Sequence, residues 1–184
     1  MMSTSITRIT VPLLLLREGR GFLAGGTPPP DRQISQLSDI VAFIKRTLEG
    51  VAGIGIVHDY EPIVTEAAQI TARLGASGSV HYWTVKRTGT IETRLTNVET
   101  SLVHEITLRG YQEVGDASVT EAPFQRLVSA IADAFRVTHE IGGGTDAEVF
   151  GPAQVEEVGH RMVGQTIITH YVSLRIGAQE RLTP

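Results

Sequence analysis

The sequence predicts an α+β fold: a mostly antiparallel sheet of about four to five strands with helices packed on one face. Three observations predict it. Residues 102–114 alternate with a period of two, setting Leu102, His104, Ile106 and Leu108 against Glu105, Thr107, Arg109 and Tyr111, the pattern of a half-buried strand. Two other stretches carry apolar residues at three- and four-residue steps, the helical period. The chain also closes on two apolar, β-branched segments around Gly164-Gln165, which predict a terminal hairpin with glycine first in a two-residue turn.

Taken in order, residues 1–30 read as an N-terminal arm. They hold Arg8, Arg17, Arg20 and Glu18 and end in Gly25-Gly26-Thr27-Pro28-Pro29-Pro30, a flexible joint beside a stiff polyproline piece. The arm's short apolar segment (Ile6, Ile9, Val11, Leu13) cannot bury itself alone. It either joins the sheet of its own domain or lies on a neighbouring subunit. The arm has net charge +2, leaving −6 on the domain 31–184, which contains 13 basic and 19 acidic residues.

Within that domain, Leu37, Ile40, Val41, Ile44 and Leu48 predict a helix over 35–49, with Gly50 as a left-handed cap. A strand follows over 54–57, then a helix over 62–74 with Ile63, Ala67, Ile70 and Leu74 on one face. Residues 79–87, rich in Val, Tyr, Trp and Thr, predict a strand; 90–98 reads as a solvated strand or a loop, and 102–114 as the strand described above. Thr120 is the expected N-cap of the strongest helix, with Glu121 in its acidic first turn and Pro123 early enough to be tolerated. Its stripe Phe124, Leu127, Val128, Ile131 and Phe135 is core. After the loop at Gly142-Gly143-Gly144, strands over 154–163 and 166–176 close an α-β-α-β-β-α-β-β order.

Composition narrows the function. The 184 residues are 41% hydrophobic and 20% charged, with no cysteine and net charge −4. Disulfides, thiolate metal sites and a cysteine nucleophile are excluded, and so is a protein that grips nucleic acid by its overall field. The longest apolar run, 11–16, is broken by Pro12 and closed by Arg17, too short for a membrane span or a secretory core.

Catalytic motifs are incomplete. Gly53-Ile54-Gly55 has His58 where a dinucleotide loop needs glycine, and Gly142-Gly143-Gly144 is not followed by Lys-Ser or Lys-Thr. His104-Glu105 and His139-Glu140 lack the second histidine of a zinc-protease helix. Gly75-Ala76-Ser77-Gly78 is one residue short of a nucleophile elbow. Glu156 and Glu157, adjacent on a strand, are expected on opposite faces. These observations predict no catalytic residue, no cofactor and no metal. The competing reading is a small metal-dependent hydrolase built on the strand histidines His81, His104 and His170, which could converge from neighbouring strands. From 137 to 160 there are five acids, Glu140, Asp146, Glu148, Glu156 and Glu157, and no Lys or Arg; this is a solvated surface in a monomer, or the lining of an opening in a ring.

The strand His104-Glu105-Ile106-Thr107-Leu108-Arg109-Gly110-Tyr111 resembles the tail terminators among the small neck and tail-completion proteins of tailed bacteriophages. The segment Gly53-Ile54-Gly55-Ile56-Val57-His58-Asp59-Tyr60 after the first helix, the helix from Phe124-Gln125-Arg126-Leu127 to Ala134-Phe135-Arg136, and the close with Val158-Gly159-His160, His170-Tyr171-Val172-Ser173-Leu174 and Gln179-Glu180 are similar too. The resemblance spans about residues 35–182 and leaves out the arm.

It implies a structural virion protein, assembled in host cytoplasm into a ring, a homohexamer, at the head-proximal end of the tail. The ring stops tail-tube polymerisation and joins the tube to the head-tail connector or stopper protein. DNA passes through its lumen without specific binding, and no membrane is involved. A head-completion or stopper protein of the same neck is the alternative. Six copies carry −24, and a lumen lined by the five acids repels phosphate, because tight binding needs Lys and Arg to displace counterions.

Overall fold

The computed structural model describes residues 35–62, 70, 75–76, 79–141, 146–164 and 166–182, all within the unit Asp31–Pro184. The arm, the glycine run 142–144 and, apart from Pro62 and Ile70, the helix expected over 62–74 lie outside the described residues. Ile70 itself is helical and fully buried.

The fold is α+β. Helix α1 (Leu37–Glu49) is followed by strands β1 (Ile56–His58), β2 (Gly75–Ala76), β3 (Ser79–Arg94) and β4 (Thr100–Glu113), helix α2 (Ala117–Ala134), and strands β5 (His139–Glu140), β6 (Ala147–Val163) and β7 (Ile167–Leu182). The sheet order is β1-β3-β4-β7-β6-β5, with β2 paired to β3 off this path. Pairing is antiparallel except for β1 with β3, which is parallel, so the sheet is mixed. The expected strands correspond to β1, β3, β4, β6 and β7; β2 and β5 add two-residue pairs at the margins.

Four local expectations change. Residues 79–87 and 90–94 belong to one strand, β3, because a register shift between Arg87 and Gly89 absorbs the break, while 95–98 form the connection to β4. Gly50 is right-handed (φ −76), while the left-handed positions are Gly53 (φ 81) and Gly55 (φ 77). A Cβ on Gly55 would meet His81 O at 2.5 Å, so only glycine fits there. Helix α2 starts at Ala117, a turn before the expected cap, because the Asp116 carbonyl already accepts Val119 N and Thr120 N. The β6–β7 turn holds three residues rather than two, since Val163 pairs with Ile167, and Gly164 supplies its left-handed step (φ 60).

Helices α1 and α2 pack on one face of the sheet. The four-residue spacing of Ile40, Ile44 and Leu48 puts all three in the core, joined there by Phe124 and Ile131 of α2 and by Phe135 just after it. Trp83, Val85, Ile106, Leu108, Val172, Leu174 and Ile176 supply the sheet side. Each such burial is worth about 1.5–3 kcal/mol. Trp83 lies opposite Gly110, and its ring occupies the space a Cβ there would need, 2.5 Å away.

The opposite face is less wet than alternation suggests. Tyr82, Tyr111 and Tyr171 pair in register across β3, β4 and β7. Their ring centroids are 4.7 and 5.2 Å apart, and the Arg161 guanidinium covers Tyr171 at 3.9 Å. Ile70 joins Val80, Tyr82 and Val163 in a second small core on this side.

Each long margin is covered only near one end. At one side β1 and β2 pair with β3 at Tyr82–Thr84 and Ser79–Val80, and residues 87–94 face no further strand among the described residues. At the other side β5 pairs with β6 at Glu148 and Val149, and residues 154–163 likewise face none. The two open segments lie at opposite ends of the sheet, because 87–94 align through β4 and β7 with the β5-covered end of β6.

Candidate functional site

Three groups of polar residues stand out. The first is a row across the helix face at the α2 end of the sheet. His81 pairs with Gln112, Gln112 with His170, and His170 with His160. The early start of α2 brings Thr120 and Glu121 over this row. Glu121 Oε2 lies 2.8 Å from His170 Nδ1 and 4.0 Å from His160 Nε2, and one ligand atom from each of the three residues falls within 4.8 Å of the others. Thr120 Oγ1 lies 2.8 Å from His170 Nε2 and donates to the Asp116 carbonyl at 3.0 Å. Phe124 stacks on the His170 ring with centroids 5.4 Å apart. His170 is buried while His160 is exposed. Burial, reinforced by His160, holds His170 below the ordinary imidazole range against the pull of Glu121.

The structure therefore regroups the expected histidines. His81 and His170 are separated by the width of β4, about 10 Å at the usual strand spacing. His81 borders a cleft of about 350 Å³ with Gln112, Pro123 and Arg126. Its Nε2 is buried without a hydrogen-bond partner among the described residues, and burial holds its pKa down. His104 is eight residues along β4 from Gln112, about 26 Å away. Sequence reasoning missed His160 and Glu121. The hairpin held the signal for His160: pairing of Val163 with Ile167 puts His160 opposite His170, whereas the expected two-residue turn puts it opposite Thr169.

The second group surrounds His104. Its Nε2 donates to Glu180 Oε1 at 2.9 Å, both side chains being buried, and Thr90 Oγ1 lies 2.9 Å from Nδ1. Glu180 also accepts Ser35 Oγ on Oε1 and the Gln36 backbone N–H on Oε2, each at 2.6 Å. Burial would raise the Glu180 pKa, but Ser35, Gln36 and His104 together hold it below the usual carboxylate value. Both carboxylate oxygens are thus committed to closing the start of α1, so this hydroxyl–imidazole–carboxylate chain anchors a helix.

The third group is the five acids. Glu140 and Glu148 face each other directly across β5 and β6, and Asp146 lies exposed just before β6. Glu156 and Glu157 lie apart from these on the open segment of β6. A register shift between Val155 and Glu157 undoes the strict alternation there. Both carboxylates reach guanidinium groups of the tyrosine face: Glu156 meets Arg175 Nε at 3.2 Å, and Glu157 holds Arg161 Nη2 with both oxygens at 2.9 and 3.0 Å.

No family model matches the chain, and no curated protein matches it significantly. Among the described residues no helix is long and apolar enough to cross a membrane.

Proposed function

We propose that this protein is a structural ring-former of the tail-terminator kind. It closes the head-proximal end of a phage tail tube and contacts the head-tail connector or stopper protein. The supporting observation is the pair of unlike open strand segments, 87–94 and 154–163, on opposite margins of one sheet. Such a subunit makes a heterologous, head-to-tail contact, which generates a ring when the rotation closes. Strands β3 and β6 run antiparallel within the subunit, so β6 of one copy beside β3 of the next continues the antiparallel ladder. Residues 87–94 carry net +1 and 154–163 net −1, a complementary pairing. The open part of β6 also exposes Val155, Val158 and Met162, with Ile168 beside them on β7.

The finished particle is a homohexamer in the virion, with no bond-making chemistry. Of the five acids, Glu140, Asp146 and Glu148 make no side-chain ion pair among the described residues, and they line the lumen. Glu156 and Glu157, paired with arginines, belong to the contact between copies.

Native mass spectrometry with negative-stain imaging tests this reading. A closed six-fold annulus that binds purified tail-tube ends supports it. A monomer at all protein concentrations, or rings that bind filled heads and ignore tube ends, overturns it.

A further inference from the structure

We infer that Glu121, His160 and His170 form a binding site for a divalent transition-metal ion of the zinc class. The donor set is two imidazole nitrogens and one carboxylate oxygen, a combination zinc takes with a fourth position left to water. The three ligand atoms lie within 4.8 Å of one another and come from three elements, α2, β6 and β7. Tetrahedral coordination at about 2.0–2.1 Å spaces such atoms roughly 3.3 Å apart. Reaching that spacing needs only a small adjustment of Glu121 and His160, whose side chains are 45% and 55% exposed.

The residues behind the cluster argue for a cation as strongly as its spacing does. Thr120 Oγ1 donates to the Asp116 carbonyl and lies 2.8 Å from His170 Nε2, so its oxygen is placed to accept the Nε2 proton once a metal ion takes Nδ1. Without a metal, His170 Nδ1 and Glu121 Oε2, 2.8 Å apart, share a proton; a metal ion would replace that proton, with the Nδ1 lone pair turned to the ion. A metal-bound histidine usually donates its far N–H to a carboxylate, a carbonyl or water, and the Thr120 hydroxyl oxygen occupies that place here. Phe124, stacked on the ring, keeps the imidazole plane from turning.

The ion would tie the start of α2 to the open segment of β6, beside the exposed Val158 and Met162. The site stands whether or not the chain forms rings.

The full-length protein, stripped with a chelator, is titrated with Zn²⁺ by equilibrium dialysis and with Co²⁺ by visible absorption. The expected result is one ion per chain, a tetrahedral Co²⁺ spectrum and a raised melting temperature. His160→Ala and Glu121→Gln, at exposed side chains the fold does not need, each weaken binding at least tenfold. Thr120→Val, which removes the support and no ligand, weakens it about 10–100-fold. Glu157→Gln, on the tyrosine face of β6, leaves it unchanged. Absence of saturable uptake, which would mark the cluster as an imidazolium–carboxylate pair, or undiminished binding by His160→Ala, overturns the proposal.

Discussion

Glu180 closes the first turn of a helix 144 residues away in sequence, its Oε2 accepting the Gln36 backbone N–H at 2.6 Å. The same carboxylate takes the His104 imidazole and the Ser35 hydroxyl, so one buried charge joins α1, β4 and β7. Glu180→Gln is expected to cost about 3 kcal/mol at neutral pH, because it leaves buried groups without their charged partner. The folded-state pKa lies below the ordinary carboxyl value of 4.5. This stabilisation is therefore complete above about pH 4.5 and is lost as pH falls through the lower folded value. Urea unfolding at pH 7 and pH 3.5 checks it: the gap between wild type and variant is expected to narrow in acid.

Gly110→Ala is expected to destabilise by about 1–3 kcal/mol, and Gly110→Val to prevent folding. The added carbon enters space held by the fully buried Trp83 ring. Tryptophan emission reads the change directly, with a red shift in the folded state of Gly110→Ala as the ring is pushed off its site.

Burial raises the Tyr82 phenol well above its ordinary value, with smaller contributions from Tyr111 and Glu61; burial and then Tyr171 raise Tyr111. A raised phenol pKa leaves stability intact below the unfolded value, 10.0, and removes it as pH climbs beyond. Tyr82→Phe is expected to keep more of its neutral-pH stability at pH 11 than wild type keeps. Phenolate absorbance of wild type minus variant is expected to appear together with unfolding.

Lysine on an open strand discourages edge pairing. Val158→Lys and Met162→Lys sit at exposed positions of β6, so each folds normally, with melting within about 0.5 kcal/mol of wild type. Both are expected to shift assembly toward monomer in sedimentation. Unchanged assembly in both variants would count against the contact proposed for β6.

Charge reversal separates the two sets of acids. Glu140→Lys, Asp146→Lys and Glu148→Lys together exchange one like-charged cross-strand pair for another of opposite sign, so rings are expected to form while DNA passage slows, because lysines hold phosphates by displacing counterions. Ejection of DNA from such particles at the normal rate would exclude these residues from the lumen.

The parts of the fold legible in the sequence are those set by local periodicity. Ile40, Ile44 and Leu48 mark α1, and the alternation around Ile106 marks β4, because in each case one buried face dictates the spacing. Breakers misled where the sheet absorbed them. Gly89 became a register shift inside β3, and Gly151-Pro152 lies within a β6 that begins seven residues before the expected start at 154. The cluster of Glu121, His160 and His170 was hidden for a different reason. It needs the exact register of a hairpin and the docking of a helix 39 residues earlier in the chain than His160, neither of which a local pattern contains.

The two open strand segments are centred about seven residues apart along the sheet, roughly 25 Å at about 3.3 Å per residue. Copies added upright would therefore climb like treads of a spiral stair, each one stepping off the level of the last. A level circle demands that every subunit lean, and the angle of lean then fixes how many fit before the first and last meet.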